Sequence, residues 1–599
     1  MTRTVLVCCG TGCLANGSKA IADKFEALIA EKKADARTEC FVKRTGCNGF
    51  CENGPLVKIM PDDIIYYKVK LSDVEEIIDT TLIGGKPVER LLYKDDKGRP
   101  VTKQEENPFY APQLKTALRN IGFIDPLKVE DYLAAGGYEG LKKALTMTQD
   151  EIIEEVKQSG LRGRGGAGFP TWRKWQTARE QNAEVKYVGC NGDEGDPGAF
   201  MDRSVLEGDP HTVLEGLAIA ALAVGAEEGF LYIRDEYALA VKNVTAAIKD
   251  AEAHGFLGDN VMGSGRKIKF SVVRGGGAFV CGEETALIAS VEGKVGEPKP
   301  RPPFPAIKGA FGAPTTINNV ETLANLPVIL RDGGKKFASV GTEGSKGTKV
   351  FALVGKVKRT GLVEIPMGVT LRHLIYDIGG GIQGDRPFKA VQTGGPSGGC
   401  IPENMLDLPV DFDTLKAKGA MMGSGGMIVM DDRSCMVEVA RYYIEFLAEE
   451  SCGKCTPCRE GLRQMLGILT DICEGRGKKG DIELLESIGE MMQDACLCAL
   501  GKTAANPILT TIKYFRDEYE AHISGHRCPA GVCTALTSFK VEADKCKGCT
   551  MCAKACPVGA VSGEVKKPHK IDPAKCIACG SCREACRFGA IATEGRKGK

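Results

Sequence analysis

Cys546-Lys-Gly-Cys549-Thr-Met-Cys552-Ala-Lys-Ala-Cys556-Pro557 returns thirty residues later as Cys576-Ile-Ala-Cys579-Gly-Ser-Cys582-Arg-Glu-Ala-Cys586. In each run three thiolates at Cys-x2-Cys-x2-Cys spacing reach three irons of one cubane, and the fourth Cys serves the cubane of the other run. The implied pairing puts Cys546, Cys549, Cys552 and Cys586 on one [4Fe–4S] cluster, and Cys576, Cys579, Cys582 and Cys556 on a second. The second run ends in Cys-Arg where the first has Cys-Pro, a change compatible with ligation. Eight Cys at this repeat exceed what a pair of zinc knuckles needs.

Toward the N-terminus, Cys452-x2-Cys455-x2-Cys458 lies within Glu450-Ser-Cys-Gly-Lys-Cys-Thr-Pro-Cys-Arg-Glu-Gly461. Three thiolates leave a cubane one ligand short, and the candidates for the fourth are Cys496 and Cys498, between which spacing does not choose. At the start of the chain Cys8-x4-Cys13 and Cys47-x3-Cys51 form two short pairs on glycine-bearing loops, suited to a four-thiolate [2Fe–2S] site. Cys9 is a neighbouring substitute for Cys8. A redox-active dithiol or a zinc site is the alternative there.

With those sixteen cysteines assigned, Cys528-x4-Cys533 is left over. Two thiolates with one His and a further Cys make a tetrahedral structural zinc site. Cys473 and His569 in the flanking segments are taken as the other two ligands, with His522 and His526 nearer in sequence. A metal there makes 523–540 a hinge for the tail that follows. Cys40, Cys190, Cys281, Cys400 and Cys435 stand singly among apolar or glycine-rich residues and read as core thiols.

Composition sets the frame. The chain has 599 residues and 26 Cys, too sparse for a disulfide scaffold and too many for an ordinary cytosolic enzyme. A net charge of +1 lacks the basic field that nucleic-acid binding requires. The longest apolar run, Leu217–Ala226, is about half a membrane span, and no signal peptide opens the sequence, so a cytoplasmic protein without membrane insertion is expected. Composition shifts give seven segments: 1–92 a small α/β unit, 93–112 a charged, proline-punctuated linker, 113–340 a glycine-rich α/β core, and 341–432 a β-grasp-like domain. After these come 433–522 helical, 523–540 the Cys pair, and 541–599 the repeat.

Gly163-Arg-Gly-Gly-Ala-Gly168 contains G-x-G-x-x-G, but a helical pattern over Glu151–Ser159 precedes it where the dinucleotide fingerprint demands a strand. What remains is a glycine turn whose backbone N–H groups can approach a phosphate. Asn191-Gly-Asp-Glu-Gly-Asp-Pro-Gly198, Gly275-Gly-Gly-Ala-Phe-Val-Cys-Gly-Glu-Glu-Thr285 and Pro314-Thr-Thr-Ile-Asn-Asn319 add carboxylates, a second glycine loop and paired amides. The pair Glu283 and Glu284 also reads as a solvated helix start.

Together with the Cys452–Cys458 segment, these loops resemble the FMN- and NADH-binding flavoprotein subunit of respiratory complex I over about 125–520. The N-terminal unit resembles the thioredoxin-like [2Fe–2S] domain found beside that subunit. The whole order resembles the β (diaphorase) subunit of electron-bifurcating [FeFe]-hydrogenases, and also the diaphorase subunits of NAD(P)-linked formate dehydrogenases. The fold so implied is multidomain α/β and α+β. Its parts are a thioredoxin-like [2Fe–2S] domain, a Rossmann-like FMN/NAD domain, a β-grasp-like domain, a helical [4Fe–4S] domain and a bacterial-type ferredoxin domain.

The resemblance places FMN on Gly163, Arg164, Gly166, Lys174, Asn191, Asp193, Glu283, Glu284, Asn318 and Asn319. It places Phe169, Phe279 and Phe304 as aromatic faces for flavin and nicotinamide nucleotide. Arg301 stands where complex I usually has Lys, and Asp196 where it usually has Glu. It favours Cys498 over Cys496. The cofactors implied are FMN, NAD(H), one [2Fe–2S] and three [4Fe–4S] clusters. The partners implied, in a hetero-oligomer, are an [FeFe]-hydrogenase catalytic subunit, a small thioredoxin-like [2Fe–2S] subunit and ferredoxin. Hydride transfer at FMN needs no side chain as acid or base. The competing readings are a formate dehydrogenase module, a plain NADH:acceptor reductase, and an iron–sulfur relay without nucleotide chemistry.

Overall fold

A computed structural model describes residues 3–32 and 40–595. The chain divides into two units. The first comprises Met1–Asp385, Thr393–Gly395 and Asn404–Val429; the second comprises Arg386–Gln392, Pro396–Glu403 and Met430–Lys599. The expected 341–432 domain is therefore shared between them.

The first unit opens with a four-stranded sheet in the order Cys40–Thr45, Arg3–Cys8, Val57–Met60, Ile64–Tyr66. The first pair is parallel and the others antiparallel. Helix Ser18–Glu31 packs Ile21, Phe25 and Ile29 onto this sheet, as its 3.6-residue apolar period requires. Of the strand expected at 37–42, residues 37–39 lie outside the described residues.

The expected linker 93–112 is not a free tether. Tyr93–Lys94 and Pro100–Val101 pair as a small hairpin, and the buried ring of Phe109 stacks on Phe50 with centroids 4.2 Å apart. Charge and proline content mark this segment as irregular; the aromatic residues within it decide that it packs.

The glycine-rich core is a parallel sheet, Thr315–Asn319, Tyr187–Gly192, Glu228–Arg234, Lys269–Gly275. Helix Pro210–Val224 is buried almost all round, matching its nearly unbroken apolar sequence; Asp209 caps its N-terminus and Gly225 closes it in the left-handed region. The N-terminal sheet domain docks nearby. Thr11 bonds Glu207 through N and Oγ1, and a Cβ on Gly46 would lie 2.2 Å from Gly208 Cα, so only glycine fits there. Strand Thr348–Gly355 pairs antiparallel with Gly361–Pro366 and in parallel with 426–429.

The second unit is chiefly helical, with helices Met436–Glu450, Thr456–Cys473, Asp481–Ala495, Ala499–Thr503 and Asn506–Ile523. Its C-terminal part is closed by strand Thr537–Val541 pairing antiparallel with Ile591–Gly595. The sequence repeat there becomes a repeated short helix, Met551–Lys554 and Ser581–Glu584.

Candidate functional sites

The glycine turn and three loops converge at the C-terminal edge of the parallel core sheet. Asn191–Asp196, Gly275–Glu284 and Asn318–Asn319 all leave strand ends there, which is where open α/β sheets bind ligands. A helix, Gln149–Ser159, precedes the turn, so the failed dinucleotide fingerprint is explained. Gly163 N bonds Phe169 O, and Gly166 has φ 130°, where a Cβ would meet Gly423 at 3.3 Å.

Charge at this edge is organised around Glu284. Lys174 Nζ lies 3.3 Å from one of its carboxylate oxygens, and an Arg301 guanidinium nitrogen lies 2.8 Å from the other. Burial pushes Glu284 up, but Lys174 and Arg301 outweigh it and hold the carboxyl below its ordinary range. Glu283 caps helix Glu284–Val291, accepting from Thr285 N and Ala286 N, so it does stand at a helix start, though a largely buried one. Asn191 Nδ2 donates to Gly282 O, and its Oδ1 accepts from Asp193 N, locking one loop to the other. Burial raises Asp196 to about 6, although it accepts a hydrogen bond from Ser424 Oγ. The rings of Phe169 and Phe304 are about half exposed, with the Arg301 guanidinium 5.9 Å from the Phe304 centroid, while Phe279 packs beside Gly195.

Two residues expected to clamp a ligand have side chains committed elsewhere. The Arg164 guanidinium is fully buried and donates to the carbonyls of Arg162 and Lys346. Asn319 caps helix Val320–Asp332 through Oδ1 and donates from Nδ2 to Asp202. Asn318 Oδ1 accepts from Trp175 Nε1. Arg164 and Asn319 thus shape the edge through the backbone. Sequence reasoning missed Asp202, Thr322 and Ser424, which hold Asn319, Arg164 N and Asp196 in place.

The N-terminal thiols assemble as expected. Cys8 lies in hydrogen-bonding reach of Cys13 and Cys47, and Cys47 Sγ is 3.7 Å from Cys51 Sγ. Cys9 turns instead toward Ser18. In the second unit, Cys546, Cys549, Cys552 and Cys586 line one small cavity, the cross-run pairing the repeat dictates. Cys582 feels Cys576 and Cys579. In the helical domain the Cys496 thiol contacts Cys458, lowering it to about 6 while itself being pushed up, and also reaches Cys455. Cys498 is buried two residues on, at the N-cap of Ala499–Thr503.

The ligand set around Cys528 and Cys533 needs correction. The residues brought to them are Cys435 and His522, all four buried. Cys435 Sγ lies 3.8 Å from Cys533 Sγ, and His522 Nε2 lies 3.3 and 3.4 Å from these two sulfurs. A tetrahedral zinc with Zn–S of about 2.3 Å sets sulfurs about 3.8 Å apart, so the donors fit. His522 Nδ1 donates to Glu518 O, fixing the tautomer that leaves Nε2 as ligand. Cys473 stands at the edge of the group with Glu438 and Cys533, while His569 belongs to the wall of the first ferredoxin cavity. Cys435 is thus no ordinary core thiol. The 87 residues separating it from His522 give no spacing signal; only the helix pair Met436–Glu450 and Asn506–Ile523 brings them together.

A parallel-sheet edge of glycine loops, a four-thiol N-terminal cluster and three cubane-type thiol sets define a flavin and iron–sulfur oxidoreductase subunit. Comparison with known proteins makes this specific. Residues 156–328 match the Nuo51 FMN-binding domain, and 438–522 the NADH-ubiquinone oxidoreductase-F iron–sulfur binding region. Residues 2–82 match the thioredoxin-like [2Fe–2S] ferredoxin, 538–587 the 4Fe–4S dicluster domain, and 350–401 the SLBB domain. The chain is 54% identical over 457 residues to the NADP-reducing hydrogenase subunit HndC of Solidesulfovibrio fructosivorans, covering 76% of this chain and 93% of that one. It is 48% identical over 413 residues to an NADH-quinone oxidoreductase subunit of Rhizobium meliloti (strain 1021), covering 69% and 98%. A solved NAD+-reducing [NiFe]-hydrogenase in the H2-reduced state superposes with TM-score 0.62 at 30% identity, over 87% of this chain and 84% of that one. The protein belongs to this family of NADH-binding FMN flavoprotein subunits, with thioredoxin-like [2Fe–2S] and [4Fe–4S] domains. Among the described residues no helix is long and apolar enough to cross a membrane.

Proposed function

We propose that the chain is the diaphorase subunit of an electron-bifurcating [FeFe]-hydrogenase complex. It exchanges hydride between NAD(H) and FMN, and exchanges single electrons with ferredoxin and the hydrogenase subunit through its clusters. The observation that carries the reading is the sheet edge where Lys174 and Arg301 converge on Glu284, with the open ring of Phe304 beside Arg301. When bound, FMN takes electrons in pairs from a nicotinamide and passes them singly to iron–sulfur clusters.

The chain's own residues do the positioning. The turn from Gly163, whose own N–H is bonded to Phe169 O, through Gly166 shapes the backbone that would approach a phosphate, and Asn191 holds the two acidic loops in register. Lys174 and Arg301 add positive charge where an anionic cofactor would enter. Phe169 and Phe304 offer ring faces for stacking. Sixteen thiols hold one [2Fe–2S] and three [4Fe–4S] clusters, with Cys498 completing the set of Cys452, Cys455 and Cys458. The Cys435, His522, Cys528, Cys533 group holds one structural zinc.

Anaerobic purification with copurifying partners tests the proposal. FMN, about fourteen irons per chain, and NADH-dependent viologen reduction are expected. So is a partner that evolves H2 when NADH and reduced ferredoxin are supplied together. A molybdenum or tungsten partner oxidising formate would replace the hydrogenase reading. Full iron without flavin would leave an electron relay.

A further inference from the structure

The first unit carries a second groove, of about 650 Å3, whose lining includes Ile288, Pro300, Pro303, Lys294, Lys299 and Lys308. None of the residues expected at the flavin and nicotinamide site lines it. Its size falls within the range of small-ligand sites, about 300–1,000 Å3, and its proline walls are preformed. The one carboxylate in the lining is already engaged. Glu292, nearly buried, accepts from Phe311 N at 2.9 Å and pairs with Lys294 at 2.7 Å and with Lys299 at 3.6 Å. Three lysines against this one carboxylate still leave the groove with a net positive rim.

Phe311 also lines the groove, and it is held at a cost. Its φ is 53°, a left-handed conformation that is strained for any residue with a Cβ. The bond to Glu292 fixes it there. The ring meets Tyr187 edge-on at 5.7 Å and is 62% exposed. A strained residue presenting an open aromatic face beside three ammonium groups matches a ligand that joins a planar ring to several negative charges.

We propose that this groove is a second nucleotide site, taking a nucleoside di- or triphosphate with its base on Phe311 and its phosphates among Lys294, Lys299 and Lys308. The site is wired toward the sheet edge. Lys299 N donates to Thr285 Oγ1, and Arg301, two residues on, holds Glu284. An effect of occupancy on NADH turnover rests on the diaphorase reading; binding itself does not.

Equilibrium dialysis of the holoprotein with labelled ADP, in saturating NAD+ to fill the hydride site, tests it. One ADP per chain is expected. It should weaken at least tenfold in a Lys294→Glu/Lys308→Glu variant with unchanged FMN and iron content. Phe311→Gly removes the ring while relieving the backbone, so it should also weaken ADP at least tenfold without lowering Tm. Complete displacement of ADP by NAD+, or ADP binding unaltered in both variants, overturns the proposal. Binding of polyglutamate with no binding of ADP overturns it too, and marks a protein-docking groove instead.

Discussion

Lys174 Nζ and Glu284 Oε2 face each other across 3.3 Å at the sheet edge, although 110 residues separate them in sequence. Lys174 also donates to Ile317 O, so the strand carrying Asn318 fixes the ammonium in place. Lys174→Met removes one of two cations from Glu284 and one positive charge from the cofactor entrance. If the ammonium donates to FMN, losing that charged hydrogen bond, about 1.5–3 kcal/mol, weakens FMN about ten- to a hundredfold. Flavin release on dilution measures this, and Lys174→Arg should recover most of it. Flavin retention equal to wild type would remove Lys174 from the site.

The zinc assignment separates ligands from neighbours. Cys435→Ser and His522→Ala should each abolish the bound metal, about one per chain, measured by elemental analysis of protein with intact iron. Cys473→Ser and His569→Ala should keep it. Metal retained without His522 but lost without Cys473 would return Cys473 to the ligand set of Cys528 and Cys533.

How far the sequence reaches depends on where each signal is written. Both ferredoxin runs are local, and their cross-pairing through Cys586 is readable because the repeat itself encodes it. The N-terminal thiols are readable for the same reason, as is the buried helix after Asp209. Cys435 is not, because its partners come from a helix 87 residues away and its own neighbours are apolar. Arg164 and Asn319 show the converse limit. A motif names the residue type, but only the fold shows that the guanidinium ends on the carbonyls of Arg162 and Lys346. Segment 93–112 misleads because charge and proline outweigh Phe109 and Tyr110, the residues that anchor it.

Cys496 and Cys498 give opposite expectations. Cys496 touches Cys455 and Cys458, as those two touch each other, so proximity gives Cys496 a claim to the fourth position. Cys498, at a helix N-cap, has its backbone outside the preceding helix and is the thiol the family resemblance assigns. Cys498→Ser should lose the low-temperature EPR signal of this cluster and Cys496→Ser should keep it. The reverse pattern would give the ligand position to Cys496.

Asp209 supplies a pH-dependent stability contribution. It is fully buried, accepts from Asn120 Nδ2 at 2.8 Å, and burial pushes its pKa up to about 6 from 3.8. Because the folded value is raised, the contribution is fully present below pH 3.8 and is lost as pH rises through 6. It amounts to about 3 kcal/mol at most, at about 1.36 kcal/mol per pH unit. Asp209→Asn keeps an acceptor for Thr212 N without the charge. Thermal melts should show the variant gaining on wild type at about pH 8 and the gain vanishing near pH 4. A pH-independent difference would mean that Asp209 does not titrate in this range.

Lys349 and Glu321 form an ion pair with essentially no solvent access. Lys349 Nζ also donates to Val350 O and Ser424 O, and Glu321 accepts from Val350 N, so each charge is surrounded by dipoles as well as by its partner. Lys349→Met strands a buried carboxylate and should cost about 3–5 kcal/mol, read as a fall in Tm. Replacing both, as Lys349→Met with Glu321→Leu, removes the stranded charge and should recover much of that loss. Glu321 sits two residues beyond Asn319, at the start of helix Val320–Asp332, so the single variant should also release flavin at a lower temperature than the double. If the double variant is as unstable as the single, the stability resides in the hydrogen bonds to Val350 and Ser424 rather than in the pairing of the charges.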